Sequence, residues 1–102
     1  MKKIVFVCLG NICRSPMAEF VMKSLTDQLK IESRATSSWE HGNPIHRGTQ
    51  AIFKKYAISY DRNKTSQQIS AADFADFDYV IGMDESNVRD LKRMAPEDFQ
   101  HK

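Results

Sequence analysis

Ile4-Val5-Phe6-Val7-Cys8-Leu9-Gly10-Asn11-Ile12-Cys13-Arg14-Ser15-Pro16-Met17-Ala18-Glu19-Phe20 reads as a strand, a tight loop and the start of a helix. The apolar, mostly β-branched run Ile4 to Val7 predicts a buried strand. Ser15-Pro16 predicts a helix start, because serine is a good N-cap and proline suits the first helical position. The seven residues between, opening with Cys8 and closing with Arg14, are then a loop feeding a helix N-terminus. The first N–H groups of a helix lack internal acceptors, and the helix dipole favours negative charge there. Gly10 lets the backbone approach an anion closely, and Asn11 tolerates a left-handed conformation. Arg14 adds a planar fork that matches two phosphate oxygens. Cys8 stands at the strand end beneath this bowl. A helix N-terminus and a nearby guanidinium favour thiolate, which is placed for attack on a bound phosphorus. A bare Cys-x5-Arg spacing is weak evidence, and a cysteine after a strand often serves as a small apolar side chain. The surrounding strand, Gly-Asn and Ser-Pro make the nucleophile reading the stronger one.

Composition narrows the alternatives. A chain of 102 residues supports one domain, and its 41% hydrophobic content suffices for a core. A net charge of +2 argues for neither nucleic acid nor membrane surfaces. No apolar run is long enough to span a bilayer, and the short one after Lys2-Lys3 meets polar residues too soon for a secretory signal. A cytoplasmic location is the default expectation. Two cysteines five residues apart form neither a disulfide framework nor a zinc site, so no metal is expected.

Downstream, Met17, Phe20, Val21, Leu25 and Leu29 recur at helical spacing and predict a helix from Pro16 to near Lys30. Glu19 lies one turn from Arg14, where it either orients the guanidinium or is a solvated surface acid. Ser33 to Trp39 predicts a short edge strand. Trp39 leads into Glu40-His41-Gly42-Asn43-Pro44, a loop-like run, so the ring is expected to wall a pocket rather than fill a core. Ile45 to Tyr56 predicts a second helix, with His41, His46 and His101 as surface residues. Asp61 to Ser66 predicts a loop, and Ser70 to Asp76 a capped short helix. Tyr79-Val80-Ile81-Gly82-Met83 predicts a second buried strand, and Asp84 caps a helix reaching Met94. Ligands bind at the carboxyl ends of parallel strands, so Asp84 should lie on the edge that carries Cys8. The alternation predicts a doubly wound α/β parallel sheet in order 2-1-3, with helices on both faces.

The stretch V-C-L-G-N-I-C-R-S-P-M-A-E, with F-D-Y-V-I-G-M-D-E-S-N-V-R-D-L at residues 77–91, resembles the low-molecular-weight protein tyrosine phosphatases. The resemblance runs through essentially the whole chain and is weakest between residues 41 and 68. It implies hydrolysis of phosphotyrosine in proteins, and of aryl phosphates, through a cysteinyl-phosphate, with no cofactor. Cys8 and Arg14 would be catalytic. Leu9, Gly10, Asn11, Ile12, Cys13 and Trp39 would bind substrate, and phosphate or sulfate could occupy the loop. Ser15 would hydrogen-bond the thiolate, Ser33 would hold Asn11, and Glu19 and Asp84 would support the site. Many members carry a histidine bracing the loop near residues 61–66, where Asn63 or Lys64 stands here. Cys13 is either a small side chain under the loop or a partner for Cys8 in a reversible disulfide. The family also carries a fourth strand, a last helix and an Asp-Pro-Tyr/Phe stretch supplying the general acid. No Asp-Pro occurs in the 102 residues, so the chain is expected to be part of a longer protein. Two other functions fit a Cys-x5-Arg loop: thioredoxin-coupled arsenate reduction, which needs resolving cysteines downstream, and non-hydrolytic binding of phosphate or phosphoproteins.

Overall fold

A computed structural model describes residues 2–95. The elements run β1 (Lys2–Cys8), α1 (Arg14–Leu25), β2 (Leu29–Ala35), α2 (Arg47–Lys55), α3 (Ala71–Asp76), β3 (Tyr79–Gly82) and α4 (Glu85–Met94). The three strands pair in parallel in the predicted order, β2-β1-β3. The expected fourth strand and last helix, and His101, lie outside the described residues. No described helix is long and apolar enough to cross a membrane.

Alternation along the strands sends successive side chains to opposite faces. Val5 and Val7 pack with Phe74, Phe77 and Leu91, on the side of α3 and α4. On the other side Phe20 of α1 meets Ile45 and Phe53, with Tyr60 closing the aromatic cluster. β2 divides the same way: Ser33 bonds Glu19 of α1, whereas Arg34 pairs with Asp73 of α3. Helices therefore cover both faces, as predicted.

Several boundaries differ from the sequence reading. The first helix starts at Arg14, so Ser15 is its second residue rather than its cap, and Cys13 at the cap position makes no side-chain capping bond. It ends at Leu25, since Thr26 is extended (φ −155°, ψ 147°). Leu25 is 75% exposed and contributes little to the core. Leu29 to Ala35 is the strand, not Ser33 to Trp39: buried Ile31, Ser33 and Ala35 alternate with Lys30, Glu32 and Arg34. The helical spacing of Leu25 and Leu29 is fortuitous, and the period of two prevails once the chain can pair with β1. His46, expected only at the surface, caps α2 by accepting the Gly48 N–H on its Nδ1 at 3.0 Å. β3 pairs only with β1 among the described strands, so its Tyr79 and Ile81 are exposed rather than buried. Ser70 opens α3 as predicted, its N–H donating to Asp73 Oδ2 at 2.9 Å.

Candidate active site

β1 delivers Cys8 as its last residue, 4% exposed and aimed toward α1. The chain must then turn within five residues into Arg14. Asn11 makes that turn in the left-handed region at φ 56°, which asparagine tolerates better than most residues. Its N–H donates to Cys8 Sγ at 3.2 Å. The N–H groups of Gly10, Ile12 and Cys13 donate to no protein acceptor among the described residues. They remain available to an anion above the sulfur.

Ser15, buried in the first turn of α1, places its Oγ 3.1 Å from Cys8 Sγ. That oxygen accepts from Asn11 Nδ2 at 2.8 Å, which leaves the hydroxyl proton for the sulfur or for Arg34 O, 3.4 Å away. Asn11 Oδ1 in turn accepts the Gln67 N–H at 3.2 Å. Ser66 Oγ donates to Gly10 O at 2.7 Å. Residues 64–68 thus form a strap along the end of β2, where Ala35 bridges Gln68, and hold the loop from outside. The strap is anchored by Lys64, whose Nζ lies 3.1 Å from Glu19 Oε1 and 3.4 Å from Ser33 O. Glu19, 1% exposed, also accepts from Ser33 Oγ, and its Oε2 meets Lys23 Nζ at 2.7 Å. A carboxylate so buried is tolerable because two ammonium groups and a hydroxyl satisfy it.

The opposite side of the loop is open. Arg14 is exposed, and its Nη1 donates to Asp84 Oδ2 at 2.8 Å. The Asn87 backbone N–H and then the Arg14 guanidinium hold the Asp84 carboxyl down at about 2, while the Asp84 hydrogen bond raises Arg14. Asp84 reaches this place because β3 ends at Gly82, where a Cβ would come within 3.0 Å of the Val88 backbone nitrogen. Ser37 donates from both its N–H (3.2 Å) and its hydroxyl (2.8 Å) to Leu9 O, which seats the 36–40 segment beside the loop. Leu9 and Trp39 are 42% and 79% exposed there. Exposed Cys13 accepts from Thr49 Oγ1 at 3.3 Å.

The profile of the family described as low molecular weight phosphotyrosine protein phosphatase matches residues 3–102. The chain belongs to that family. It is 46% identical over 101 residues to the low molecular weight protein-tyrosine-phosphatase PtpA of Staphylococcus epidermidis, covering 94% of this chain and 64% of that protein. It is 45% identical over 101 residues to YfkJ of Bacillus subtilis, covering 93% and 64%. The crystal structure of SP-PTP, a low molecular weight protein tyrosine phosphatase from Streptococcus pyogenes, superposes with a TM-score of 0.97 at 62% identity. That match covers 100% of this chain and 69% of the other. The chain thus spans just under two thirds of the length of these curated relatives.

Within this fold the loop from Cys8 to Cys13 runs straight into Arg14 and Ser15, the first two residues of α1, and brings these side chains together. Asp84 joins them through Arg14. Two supporting residues are elsewhere. Glu19 does not orient Arg14; its place in α1 turns it inward, onto Lys23, Lys64 and Ser33. Ser33 does not bond Asn11, because its hydroxyl is spent on Glu19, and Ser15 and Gln67 hold the asparagine instead. Cys13 is not tucked under the loop but exposed. Of the two residues standing where many family members carry the bracing histidine, Lys64 makes the contact. Ser66 and Gln67 went unnoticed in the sequence. Gln67 acts through its backbone, which has no signature, and the only pointer to Ser66 is its nearness to Lys64.

Proposed function

We propose that this chain carries the nucleophile and phosphate site of an enzyme that hydrolyses phosphotyrosine in proteins, and aryl phosphates generally. The observation that carries the reading is Cys8 Sγ, set below free loop amides and contacted by Ser15 Oγ and the Asn11 N–H. Cys8 thiolate attacks phosphorus, forming a P–S bond as the P–O bond to the phenol breaks. The loop amides and Arg14, released from Asp84, hold the equatorial oxygens. Water then attacks phosphorus, the P–S bond breaks, and inorganic phosphate leaves. The Ser15 hydroxyl donates to the departing thiolate. Trp39 and Leu9 flank the phenyl ring. The phenolate takes up a proton as it leaves, from the general acid that the family resemblance implies.

The same reading places the reaction in the cytoplasm, where thiols stay reduced, and Cys8 and Cys13 are both free thiols. Peroxide would oxidise Cys8 to a sulfenic acid. The Cys13 thiol would then displace water to give a disulfide, which a cellular thiol reduces again.

The test is turnover of p-nitrophenyl phosphate by the 102-residue chain and by the full-length product, each against Cys8→Ser. Activity abolished by Cys8→Ser is expected. A shortfall of about 10²–10⁴-fold in the 102-residue chain would mark a missing general acid. No turnover in the full-length product sinks the reading. After a peroxide pulse, Cys13→Ser should lose thiol-dependent recovery while keeping its initial rate; full recovery removes Cys13 from the redox scheme.

A further inference from the structure

Between α2 and the segment 57–62 lies a groove of about 610 Å³. Its floor is apolar, with Ile58 and Tyr60 over the buried Phe53, and its lips carry Arg47, Lys54 and Arg62 with no carboxylate among the lining residues. None of these three cations makes an ion pair or side-chain hydrogen bond among the described residues. Two have no explanation in helix stability. Lys54 suits the last turn of α2, but Arg47 stands in the first turn, where a cation opposes the helix dipole and no acid offsets it. Arg62 belongs to no helix. The α2 N-terminus is also fastened to the catalytic loop: the His46 N–H donates to Ile12 O at 2.7 Å, and Thr49 contacts Cys13. The groove therefore runs along the helix that starts at the rim of the site.

We propose that this groove docks an acidic, extended segment of the phosphotyrosyl protein substrate, a role that rests on the phosphatase reading. Charge complementarity identifies the occupant. Arg47 and Lys54 are seven residues apart on one helix face, about 10 Å along the axis. In an extended segment of polyproline II form, three residues cover about 9 Å and positions i and i+3 fall on the same face. Carboxylates three positions apart, with an uncharged residue over the floor, match both lips and floor. Single-stranded nucleic acid fits poorly, since the Tyr60 ring is already packed on Phe53 at 5.0 Å and is not free to stack on a base.

The experiment measures binding of paired phosphotyrosyl peptides to Cys8→Ser protein by fluorescence anisotropy at low ionic strength. One peptide of each pair carries Asp-x-x-Asp beside the phosphotyrosine, on either side; the other carries Asn at the same places. Exposed ion pairs are individually weak, so two carboxylates held among the three cations should give a preference of up to about tenfold for the acidic peptide. Arg47→Gln/Lys54→Gln/Arg62→Gln should reduce that preference to less than about twofold, and added salt should do the same to the parent. The three single variants, each removing part of the preference, replace the triple variant if its circular dichroism shows misfolding. Equal binding of both peptides, or a preference that survives the substitutions, overturns the proposal. So does binding to phosphatidylserine vesicles that needs the three cations while the peptides show no preference. Turnover of p-nitrophenyl phosphate by the full-length product separates the two claims. Turnover without peptide preference sinks the groove alone, whereas no turnover sinks the phosphatase reading.

Discussion

The two sides of the phosphate loop are built from opposite materials. On the strap side, Asn11, Ser15, Glu19 and Ser33 are buried, and each hydrogen bond ends on another protein group. On the rim side, Arg14, Cys13, Leu9 and Trp39 are exposed, and the ion pair these four make among the described residues joins Arg14 to Asp84. The strap side fixes a shape; the rim side offers groups that can change partners when a ligand arrives. Preorganised amides stabilise a transition state without reorganising during the reaction. In the proposed reaction the guanidinium would exchange a carboxylate for a phosphate, and Asp84 would keep Arg14 near the site between turnovers.

This contrast is most severely tested at Glu19. Glu19→Ala removes the carboxylate between Lys23 and Lys64 and leaves the Lys64 ammonium, 11% exposed in its side chain, facing only a carbonyl. Breaking a buried pair from one side costs about 3–5 kcal/mol. Urea unfolding should show a loss of that order, with turnover falling as the strap loosens. Restoring a neutral pair with Glu19→Gln/Lys64→Met should recover part of both. A Glu19→Ala protein as stable as its parent would show that the strap is not anchored there.

A smaller effect is expected at Asp84. Its carboxyl titrates at about 2 against an ordinary 3.8. A depressed folded value stabilises above the unfolded one, and the contribution is lost as pH falls through the folded value. The parent's thermal midpoint should therefore drop more steeply than that of Asp84→Asn between about pH 4 and pH 2, with no divergence from pH 5 to pH 7. Parallel curves throughout would mean that neither the Asn87 N–H nor Arg14 favours the ionised carboxyl in the folded protein. The smallest stability effect belongs to Trp39→Ala, within about 0.5 kcal/mol, because the ring is 79% exposed. Its signature is kinetic: KM for aryl phosphates should rise while kcat changes little. An unchanged KM removes Trp39 from the substrate wall.

The strap and the rim also differed in how legible they were. The rim could be read from the chain because Cys8 to Arg14 is one contiguous stretch, and Asp84 follows a strand end. Sheet order was legible because β1 and β3 are apolar runs with turn residues after them. The strap was not. Glu19 and Ser33 are 14 residues apart, and Asn11 and Gln67 are 56 apart, so their pairing follows from the packing of α1 on β2 and from the return of the chain. Glu19 one turn from Arg14 suggested a partnership that the helix start at Arg14 and the inward face of α1 forbid. Boundaries failed where two periodicities overlapped, as at Leu25 and Leu29.

The reach from Asn11 to Gln67 also has a consequence in time. Contacts between distant parts of a chain form late, because the loop between them must close before they return any energy. β1 and α1 are neighbours in sequence and can assemble early, but Asn11 Oδ1 has no Gln67 N–H until the strap has come back across β2. The Cys8–Arg14 loop is thus written near the beginning of these 102 residues and completed late in folding. A partly folded molecule with native-like helices would hold Cys8 before it holds the cradle around it.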